Sequence, residues 1–286
     1  MKSLKVKCSV FNAPTKENYP IIGIIGGSGF YDFPELVTEK KVRPKTEYGY
    51  PSDWITIGSC GGVRVAFLPR HGHDHKLAPH RIPYRANMEA LWKIGVRSVV
   101  GACVVGSLRR KIKPGDLVLP DQFVNLTWGR DDGVRADGSF IHLPMTQPYC
   151  ENLRRSIAKQ ARSKRIGLHK SGVVVVVQGP RFSTIAESRW FVRNSWDVVN
   201  MTQYPEVYFA RERGICYAAV AAVTDYDAIL HEETDLTVEN WQKVRDTFIN
   251  NIVITRKLLV SVIMRFPALG GCNCAKTWQP EFYKDL

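Results

Sequence analysis

Short apolar runs rich in β-branched residues alternate with longer amphipathic segments from about Pro20 onward. This alternation is typical of an α/β domain. The predicted strands lie at 21–25, 63–68, 98–105, 173–177, 215–223 and, more weakly, 197–199. The predicted helices lie at 84–94, 148–164, 184–194, 205–213 and 238–265. Five consecutive valines at 173–177 favour a strand that is buried on both faces.

The pattern predicts a single domain, because no repeat, low-complexity segment or linker interrupts it. We expect this domain to cover about residues 20–270, after a basic and flexible extension at 1–19 and before a tail at 271–286. The first twenty residues lack the apolar core of a secretory signal, and no apolar run reaches the ~18 residues of a membrane helix. We therefore expect a cytoplasmic protein without membrane association.

Composition and charge narrow the class of partner. The 286 residues are 44% hydrophobic and 23% charged, as in soluble globular proteins, and the net charge is +13. Such a charge suits nucleic acid, but the basic residues are dispersed and no zinc-finger or RNA-binding signature is present. A small anionic substrate explains the charge equally well, so we expect no nucleic-acid partner. The alternative, a basic nucleic-acid-binding protein, predicts salt-sensitive binding to duplexes.

Glycines, hydroxyls and charged groups follow the predicted strands at the points where they end. In open α/β sheets, ligands bind outside the carboxyl ends of the strands. If most of the strands are parallel, these segments form one site. In chain order they are 26–29, 69–72, 106–107, 178–184, 200–202 and 224–227.

Two of these segments have the chemistry of an anion site. The segment 26–29 can bring backbone N–H groups and the Ser28 hydroxyl close to an anion, although it matches neither a Walker loop nor a dinucleotide fingerprint. Arg70 offers a planar fork of donors for phosphate, and His71 can donate to the same anion. The simpler interpretations are a tight turn for 26–29 and a surface salt bridge for Arg70.

Asp225 and Asp227 form a carboxylate pair at the end of the last predicted strand. In extended backbone both point to the same side, with Tyr226 opposite. Two facing carboxylates repel, so one pKa rises and that group can serve as a general acid. A turn or a helix cap is the simpler interpretation.

The histidines at 71, 73 and 75, with Asp74, suggest a metal site. Their spacing resembles metallohydrolase clusters, but it is one residue short and no later ligands are evident. A metallohydrolase is therefore the alternative enzyme class, and our preferred interpretation contains no metal.

The seven cysteines do not resemble a secreted disulfide framework. Cys272 and Cys274, separated by one residue, suit a strained redox pair, a metal clip or two free thiols. No second pair lies nearby in the sequence to complete a zinc site, and we expect an oxidised Cys272–Cys274 pair that affects stability rather than catalysis.

Taken in order, eleven segments between about residues 21 and 230 resemble the 5′-methylthioadenosine phosphorylases of the trimeric purine nucleoside phosphorylase family. They are GIIGGSGF at 23–30, PRHG at 69–72, HRIPYRAN at 80–87, GSL at 106–108, PGD at 114–116, DQF at 121–123, GPRFS at 179–183, AES at 186–188, NMT at 200–202, PE at 205–206 and TDYD at 224–227.

The resemblance implies a doubly wound mixed sheet with a distorted barrel and a phosphorolytic reaction. Phosphate would attack C1′ of 5′-methylthioadenosine, giving adenine and 5-methylthioribose 1-phosphate, in purine and methionine salvage. Inorganic phosphate is then a co-substrate, and no cofactor is needed. A phosphorylase with a broader preference, including adenosine and inosine, is an alternative. The resemblance also implies a homotrimer, or a homohexamer made of two trimers.

Residue roles follow from the same resemblance, position by position. Ser28, Arg70, His71, Cys103, Val104 and Thr202 would contact phosphate. Met201 would contact the ribose, Phe182 and Ser183 the purine, and Val238 the 5′ methylthio group, while His142 would reach a neighbouring subunit's site. Asp225 would protonate purine N7 and Asp227 would bind the 6-amino group, which favours adenine over hypoxanthine.

The chain departs from the family pattern in three places. Cys103-Val104 stands where the family usually has Thr-Ala or similar small residues, so the backbone N–H contact to phosphate is kept but a hydroxyl contact is lost. Gln203 is larger than expected beside Met201. The ending at Cys272 and Cys274 resembles archaeal members, in which Cys150 and Cys216 occupy positions that can pair.

Overall fold

The structure, a computed structural model, describes residues 21–230, 238–266 and 272–276. Eleven β-strands and five α-helices are found in those ranges. The strands are β1 Ile21–Gly26, β2 Val37–Val42, β3 Ile55–Cys60, β4 Val63–Pro69, β5 Val96–Ser107, β6 Leu117–Val118, β7 Gln122–Leu126, β8 Leu168–His169, β9 Val173–Val177, β10 Val198–Asn200 and β11 Cys216–Tyr226. The helices are α1 Tyr84–Lys93, α2 Glu151–Ser163, α3 Ile185–Arg193, α4 Gln203–Glu212 and α5 Val238–Met264.

All eleven strands belong to one mixed sheet. Its main path runs β2-β3-β4-β1-β5-β10-β9-β7, and a branch from β5 continues through β11 and β6 to β8. The pairs β1–β4, β1–β5, β5–β11, β9–β10 and β7–β9 are parallel, whereas β10 runs antiparallel to β5. The predicted α/β class with a large mixed sheet is confirmed.

Strand β5 creates an opening in this sheet. On one edge it pairs with β1 up to Gly101 and with β10 only at Gly106 and Ser107. On the other edge it pairs with β11 throughout, from Ser98 to Ser107. Residues 102–105 of β5 are therefore not paired to a strand on the β1 side, and the sheet divides there. In open α/β sheets, ligands bind in the crevice that forms at such a switch point in the topology, outside the carboxyl ends of the strands.

Every predicted strand and helix is present, with its ends within three residues of the prediction. The valine run is β9, which pairs with a strand on each edge and buries Val174, Val175 and Val176 completely. Five strands were not predicted: β2, β3, β6, β7 and β8. Strands β6 and β8 are two residues long, and β2 is an exposed edge strand with three charged residues, so their sequences carry little periodic signal.

Helix α5 contradicts the expectation that no segment of the chain is long and apolar enough to cross a membrane. Its portion Gln242–Met264 is long and apolar enough to cross a membrane by length and composition. In the fold it packs on the sheet, and Leu258, Leu259, Val262 and Ile263 are fully buried in the largest hydrophobic cluster. An apolar helix of this kind is the core helix of a packed domain.

Candidate active site

A cleft of about 290 Å³ lies at the opening beside β5, at the carboxyl ends of β1, β4 and β11. The structure brings together there all but two of the predicted site residues. Those that line it are Ser28, Arg70, His71, Cys103, Val104, Phe182, Ser183, Met201, Thr202, Asp225 and Asp227. Strand β10 runs antiparallel to β5, but it pairs only with the last two residues of β5, and the segment that follows β10 still reaches the cleft.

The glycine-rich segment after β1 turns tightly against its surroundings. The N–H of Phe30 donates to the carbonyl oxygen of Gly27 at 2.9 Å. A Cβ on Gly27 would lie 2.7 Å from the Arg70 guanidinium, and a Cβ on Gly29, which has a φ of +79°, would lie 2.4 Å from Ile252 in α5. Glycine is required at both positions, because the backbone approaches the arginine on one side and α5 on the other.

Arg70 is a buried cation with a fixed orientation, which corrects the interpretation of a surface salt bridge. Its Nε and Nη2 donate to the two carboxylate oxygens of Glu206 at 2.6 and 2.8 Å, and its Nη1 donates to the carbonyl oxygen of Ala102 at 2.8 Å. Both side chains are 1% exposed. Burial alone would lower the pKa of Arg70, but Glu206 raises it above its usual value, so the guanidinium stays charged. At most two of its five N–H groups remain for a ligand.

Glu206 is a positioning residue that sequence reasoning did not single out. Besides the two hydrogen bonds from Arg70, its carboxylate accepts one from the Tyr217 hydroxyl at 2.7 Å. Glu206 lies on α4, directly after the cis peptide between Tyr204 and Pro205. The two residues of the Arg70–Glu206 pair are 136 positions apart, so no local spacing indicates it.

His71 is neutral in this environment. Burial lowers its pKa to about 4, and the charges of Arg70 and His75 act in the same direction. Its Nδ1 lies 2.8 Å from the carbonyl oxygen of Leu77, which assigns the ring proton to Nδ1. In the neutral form its other nitrogen, Nε2, accepts a hydrogen bond, and the contact of His71 with an anion stays a prediction. This nitrogen suits the P–OH group of monohydrogen phosphate.

Asn200 holds the turn after β10, which places Thr202 on the same side of the cleft as Arg70; we call this side the anion end. This role of Asn200 was not predicted. Its Oδ1 accepts from the backbone N–H groups of Thr202 and Gln203 at 2.7 and 2.8 Å, and its Nδ2 donates to the carbonyl oxygen of Val104 at 2.9 Å. The side chain thus ties the turn after β10 to the unpaired edge of β5. Thr202 is held there in a buried position, facing the same cleft as Arg70.

Two of the departures from the family pattern contact each other. Gln203 was expected beside Met201, but it is 1% exposed and lies behind the cleft, where its Nε2 is 3.5 Å from the Cys103 sulfur. Its Oε1 accepts a hydrogen bond from the Tyr149 hydroxyl. Burial raises the pKa of Cys103 to about 11, so this lining residue of the cleft carries a neutral thiol.

The two carboxylates line the opposite end of the cleft. Asp225 follows a register shift in the β11–β5 pairing and accepts from the Thr224 hydroxyl at 2.6 Å. Asp227 is 7% exposed, and its Oδ2 is buried with no hydrogen-bond partner among the described residues. Burial raises the pKa of Asp227, while hydrogen bonds to Ser188 and Ser183 oppose the rise. The raised pKa was expected from repulsion within the pair, but desolvation of Asp227 is its main cause.

Arg130 holds together the segments that form the wall at Met201. Its Nη2 donates to the carbonyl oxygens of Met201 and Gln178 at 2.9 and 3.2 Å, and its Nη1 donates to that of Tyr204. The guanidinium also lies over the Tyr84 ring. Arg130 is 9% exposed and lies in an irregular segment, so the sequence carried no signal for this role.

Two predicted site residues are not among the described residues that line this cleft. His142 is exposed, beside the edge of Phe140, and its predicted contact is with a neighbouring subunit. Val238 is the first residue of α5, and its side chain lies outside the described part of the structure.

The histidine cluster does not assemble as the metallohydrolase alternative requires. His71 and His75 stack at 4.4 Å with their Nδ1 atoms on Leu77 and Tyr31, and Asp74 pairs with Lys76 at the surface. Within the described ranges, the residues that group as potential metal ligands are four cysteines and include none of these histidines.

Comparisons with known proteins identify the family. Residues 21–260 match the sequence profile of the Phosphorylase superfamily, so the chain belongs to that family. It is 50% identical over 208 residues to the S-methyl-5′-thioadenosine phosphorylase of Mycolicibacterium smegmatis, covering 73% of this chain and 78% of the relative. It is 44% identical to the purine nucleoside phosphorylase of Streptomyces coelicolor, covering 88% and 91% of the two chains.

A solved structure agrees with this assignment. The methylthioadenosine phosphorylase of Schistosoma mansoni in complex with adenine superposes with a TM-score of 0.82 at 35% identity, covering 91% of this chain and 95% of that chain. The predicted family is confirmed.

Proposed function

We propose that this protein catalyses phosphorolysis of 5′-methylthioadenosine to adenine and 5-methylthioribose 1-phosphate. One observation supports this most directly. The same cleft combines an anion end, where Arg70 is charged and has N–H groups left for a ligand, and a carboxylate end, where Asp227 has a buried oxygen with no hydrogen-bond partner among the described residues. Its volume, about 290 Å³, lies at the lower limit of small-molecule pockets, roughly 300–1,000 Å³.

Phosphate binds at the anion end through Ser28, Arg70 and Thr202. Arg70 supplies up to two N–H groups and a full charge, and the neutral His71 accepts the phosphate O–H. Fixing the nucleophile below C1′ lowers the barrier by orientation, and the phosphate charges stabilise the positive character that develops on the sugar.

The purine leaves at the carboxylate end. Asp225 donates a proton to N7, which lets the base depart as a neutral molecule, and the unpartnered oxygen of Asp227 accepts from the 6-amino group. Ser183 and the exposed Phe182 ring complete the purine side, and the Met201 segment contacts the ribose. A 6-oxopurine offers no donor to Asp227, so adenine nucleosides are preferred.

The active form is a homotrimer, or a homohexamer of two trimers, in which His142 enters the neighbouring site and Val238 packs on the methylthio group. Three aromatic side chains beside the cleft support a covered surface: Trp128, Phe182 and Trp190 line one hollow and are each about half to three-quarters exposed. Exposed aromatic clusters of this kind mark protein interfaces. A Trp128→Lys variant that remained a trimer in light scattering would remove this surface from the interface.

The function is tested by measuring adenine release from methylthioadenosine, with and without phosphate. Release should depend on phosphate and should be faster than hypoxanthine release from inosine. Equal release in phosphate-free buffer would indicate a hydrolase. Faster turnover of inosine would favour a broader purine nucleoside phosphorylase, as in the Streptomyces relative's name.

A further inference from the structure

Four cysteines from three distant parts of the chain meet at one point. Cys150 immediately precedes α2, Cys216 is the first residue of β11, and Cys272 and Cys274 follow α5. Their four sulfur atoms all lie within 4.8 Å of one another, and the Cys216 and Cys272 sulfurs are 3.3 Å apart. All four are thiols in the structure, so the expected Cys272–Cys274 bridge is not formed.

This cluster is separate from the candidate active site. Cys216 begins β11, whereas Asp225 and Asp227 lie at the far end of that eleven-residue strand, about 30 Å or more away. Cys150, Cys216 and Cys274 are buried and Cys272 is half-buried, at the edge of the largest hydrophobic cluster.

The turn that carries the two C-terminal cysteines is packed against the rest of the fold. A Cβ on Gly214, which has a φ of +66°, would lie 3.1 Å from the Cα of Ala275 and 3.4 Å from the carbonyl oxygen of Cys274. The N–H of Cys150 donates to the carbonyl oxygen of Tyr217 at 2.8 Å, which fixes the start of α2 to β11. The backbones that present the four sulfurs are thus held in place by contacts other than the sulfurs.

The separations between the sulfurs suit a tetrahedral metal centre. Four sulfurs at the usual Zn–S distance of about 2.3 Å lie about 3.8 Å apart. The Cys216–Cys272 separation of 3.3 Å and the upper limit of 4.8 Å on all the sulfur–sulfur separations lie on either side of this value. Four thiolates without an open position form the usual ligand set of structural zinc.

The surroundings favour the thiolate form that a metal requires. Cys150 lies at the N-terminus of α2, where the helix dipole stabilises negative charge. The Arg211 guanidinium lies 3.9 Å from the Cys274 sulfur and provides a compensating cation.

We propose that Cys150, Cys216, Cys272 and Cys274 bind one zinc ion, which anchors the segment after α5 to α2 and β11. Binding replaces the thiol protons, which are released to solvent, and leaves a tetrathiolate centre with a charge of −2; no oxidant or reductant takes part. The ion closes a loop between residues 150 and 274, so it stabilises the fold and leaves the chemistry of the cleft unchanged.

Metal analysis of the full chain tests the site. Protein purified under reducing conditions and without chelators should contain one zinc per chain. Cys272→Ala should lower this content at least tenfold and reduce the melting temperature, with kcat for nucleoside cleavage within twofold of the parent. Cys60→Ala, which removes a buried thiol outside the cluster, is the matched control and should retain the zinc. Cobalt substitution should show the strong visible bands of tetrahedral thiolate coordination, which Cys272→Ala should lose.

Several results would overturn the proposal. If fully reduced protein titrated with zinc alone binds none, the cluster is not a metal site. Loss of zinc in His73→Ala but not in Cys272→Ala would assign the ion to the histidine segment. An intact mass that is about 4 Da below the reduced mass, in metal-free protein purified without reductant, would identify two disulfides in place of the metal centre.

Discussion

The buried Arg70–Glu206 pair leads to a prediction that links stability to phosphate binding. Glu206→Gln keeps the size of the side chain and removes its charge. Arg70 then remains charged at 1% exposure, with two of its N–H groups facing a neutral amide. Breaking a buried pair from one side costs about 3–5 kcal/mol, because the remaining charge loses its compensation.

The expected magnitude follows from this cost. For a domain of this size, each kcal/mol corresponds to about 2–4 °C in melting temperature, so Glu206→Gln should melt about 6–20 °C below the parent protein. Phosphate brings negative charge to the same guanidinium and partly replaces Glu206. A ligand that binds the native state stabilises it by RT ln(1 + [L]/Kd), so phosphate should raise the melting temperature of the variant more than that of the parent.

Differential scanning fluorimetry over a phosphate titration measures both effects. The matched control is Glu212→Gln, which removes the charge of a second buried carboxylate, paired with Arg85 and Arg135 away from the cleft. This control should lose stability but respond to phosphate as the parent does. If Glu206→Gln and Glu212→Gln respond to phosphate equally, Arg70 does not take part in phosphate binding, and the anion end is wrongly assigned.

Three further predictions concern the cleft. Asp227→Asn should lower kcat/KM for methylthioadenosine about 10- to 150-fold, the value of a charged hydrogen bond of about 1.5–3 kcal/mol, and should affect inosine less; equal losses would make Asp227 structural. Because burial raises the pKa of Asp227, its contribution to stability is present below the usual value of 3.8 and is lost as the pH rises through the folded-state pKa. The same variant should therefore gain stability relative to the parent as the pH rises above the usual pKa of 3.8, and thermal melts over a pH series would show it. Arg130→Lys keeps the charge but cannot reach all the carbonyls of the Met201 and Gln178 segments, so KM for the nucleoside should rise several-fold more than KM for phosphate; parallel changes in both would indicate a general loss of stability.

Much of the site could be predicted from the chain alone. Strand periodicity located β1, β4, β5, β9, β10 and β11, and the chemistry that follows each strand end is local to the sequence. Because parallel strands bring their carboxyl ends to one edge, the sequence alone predicts that Ser28, Arg70, Thr202 and Asp227 share one cleft. The family motifs predict the substrate, 5′-methylthioadenosine, which strand and helix periodicity alone does not specify.

Which side chains contact each other within the site depends on the tertiary structure and could not be predicted from the sequence. Glu206 neutralises Arg70 from 136 positions away, Asn200 ties its turn to the open edge of β5, and Gln203 turns toward Cys103 and away from the ribose side. These contacts depend on strand register and on where β5 exchanges one neighbour for another, and neither leaves a periodic trace in the sequence.

The cysteines show most clearly the difference between what the sequence predicts and what the tertiary structure determines. In the sequence, Cys272 and Cys274 form a pair with no partners nearby, because Cys150 lies more than a hundred residues before them. In the fold, β11 begins beside the start of α2, and the turn after α5 packs on Gly214, so four sulfurs converge. Local spacing determines which side chains a short segment can present together, whereas contacts between distant segments arise from tertiary packing, and only the packed chain brings these four sulfurs to one point.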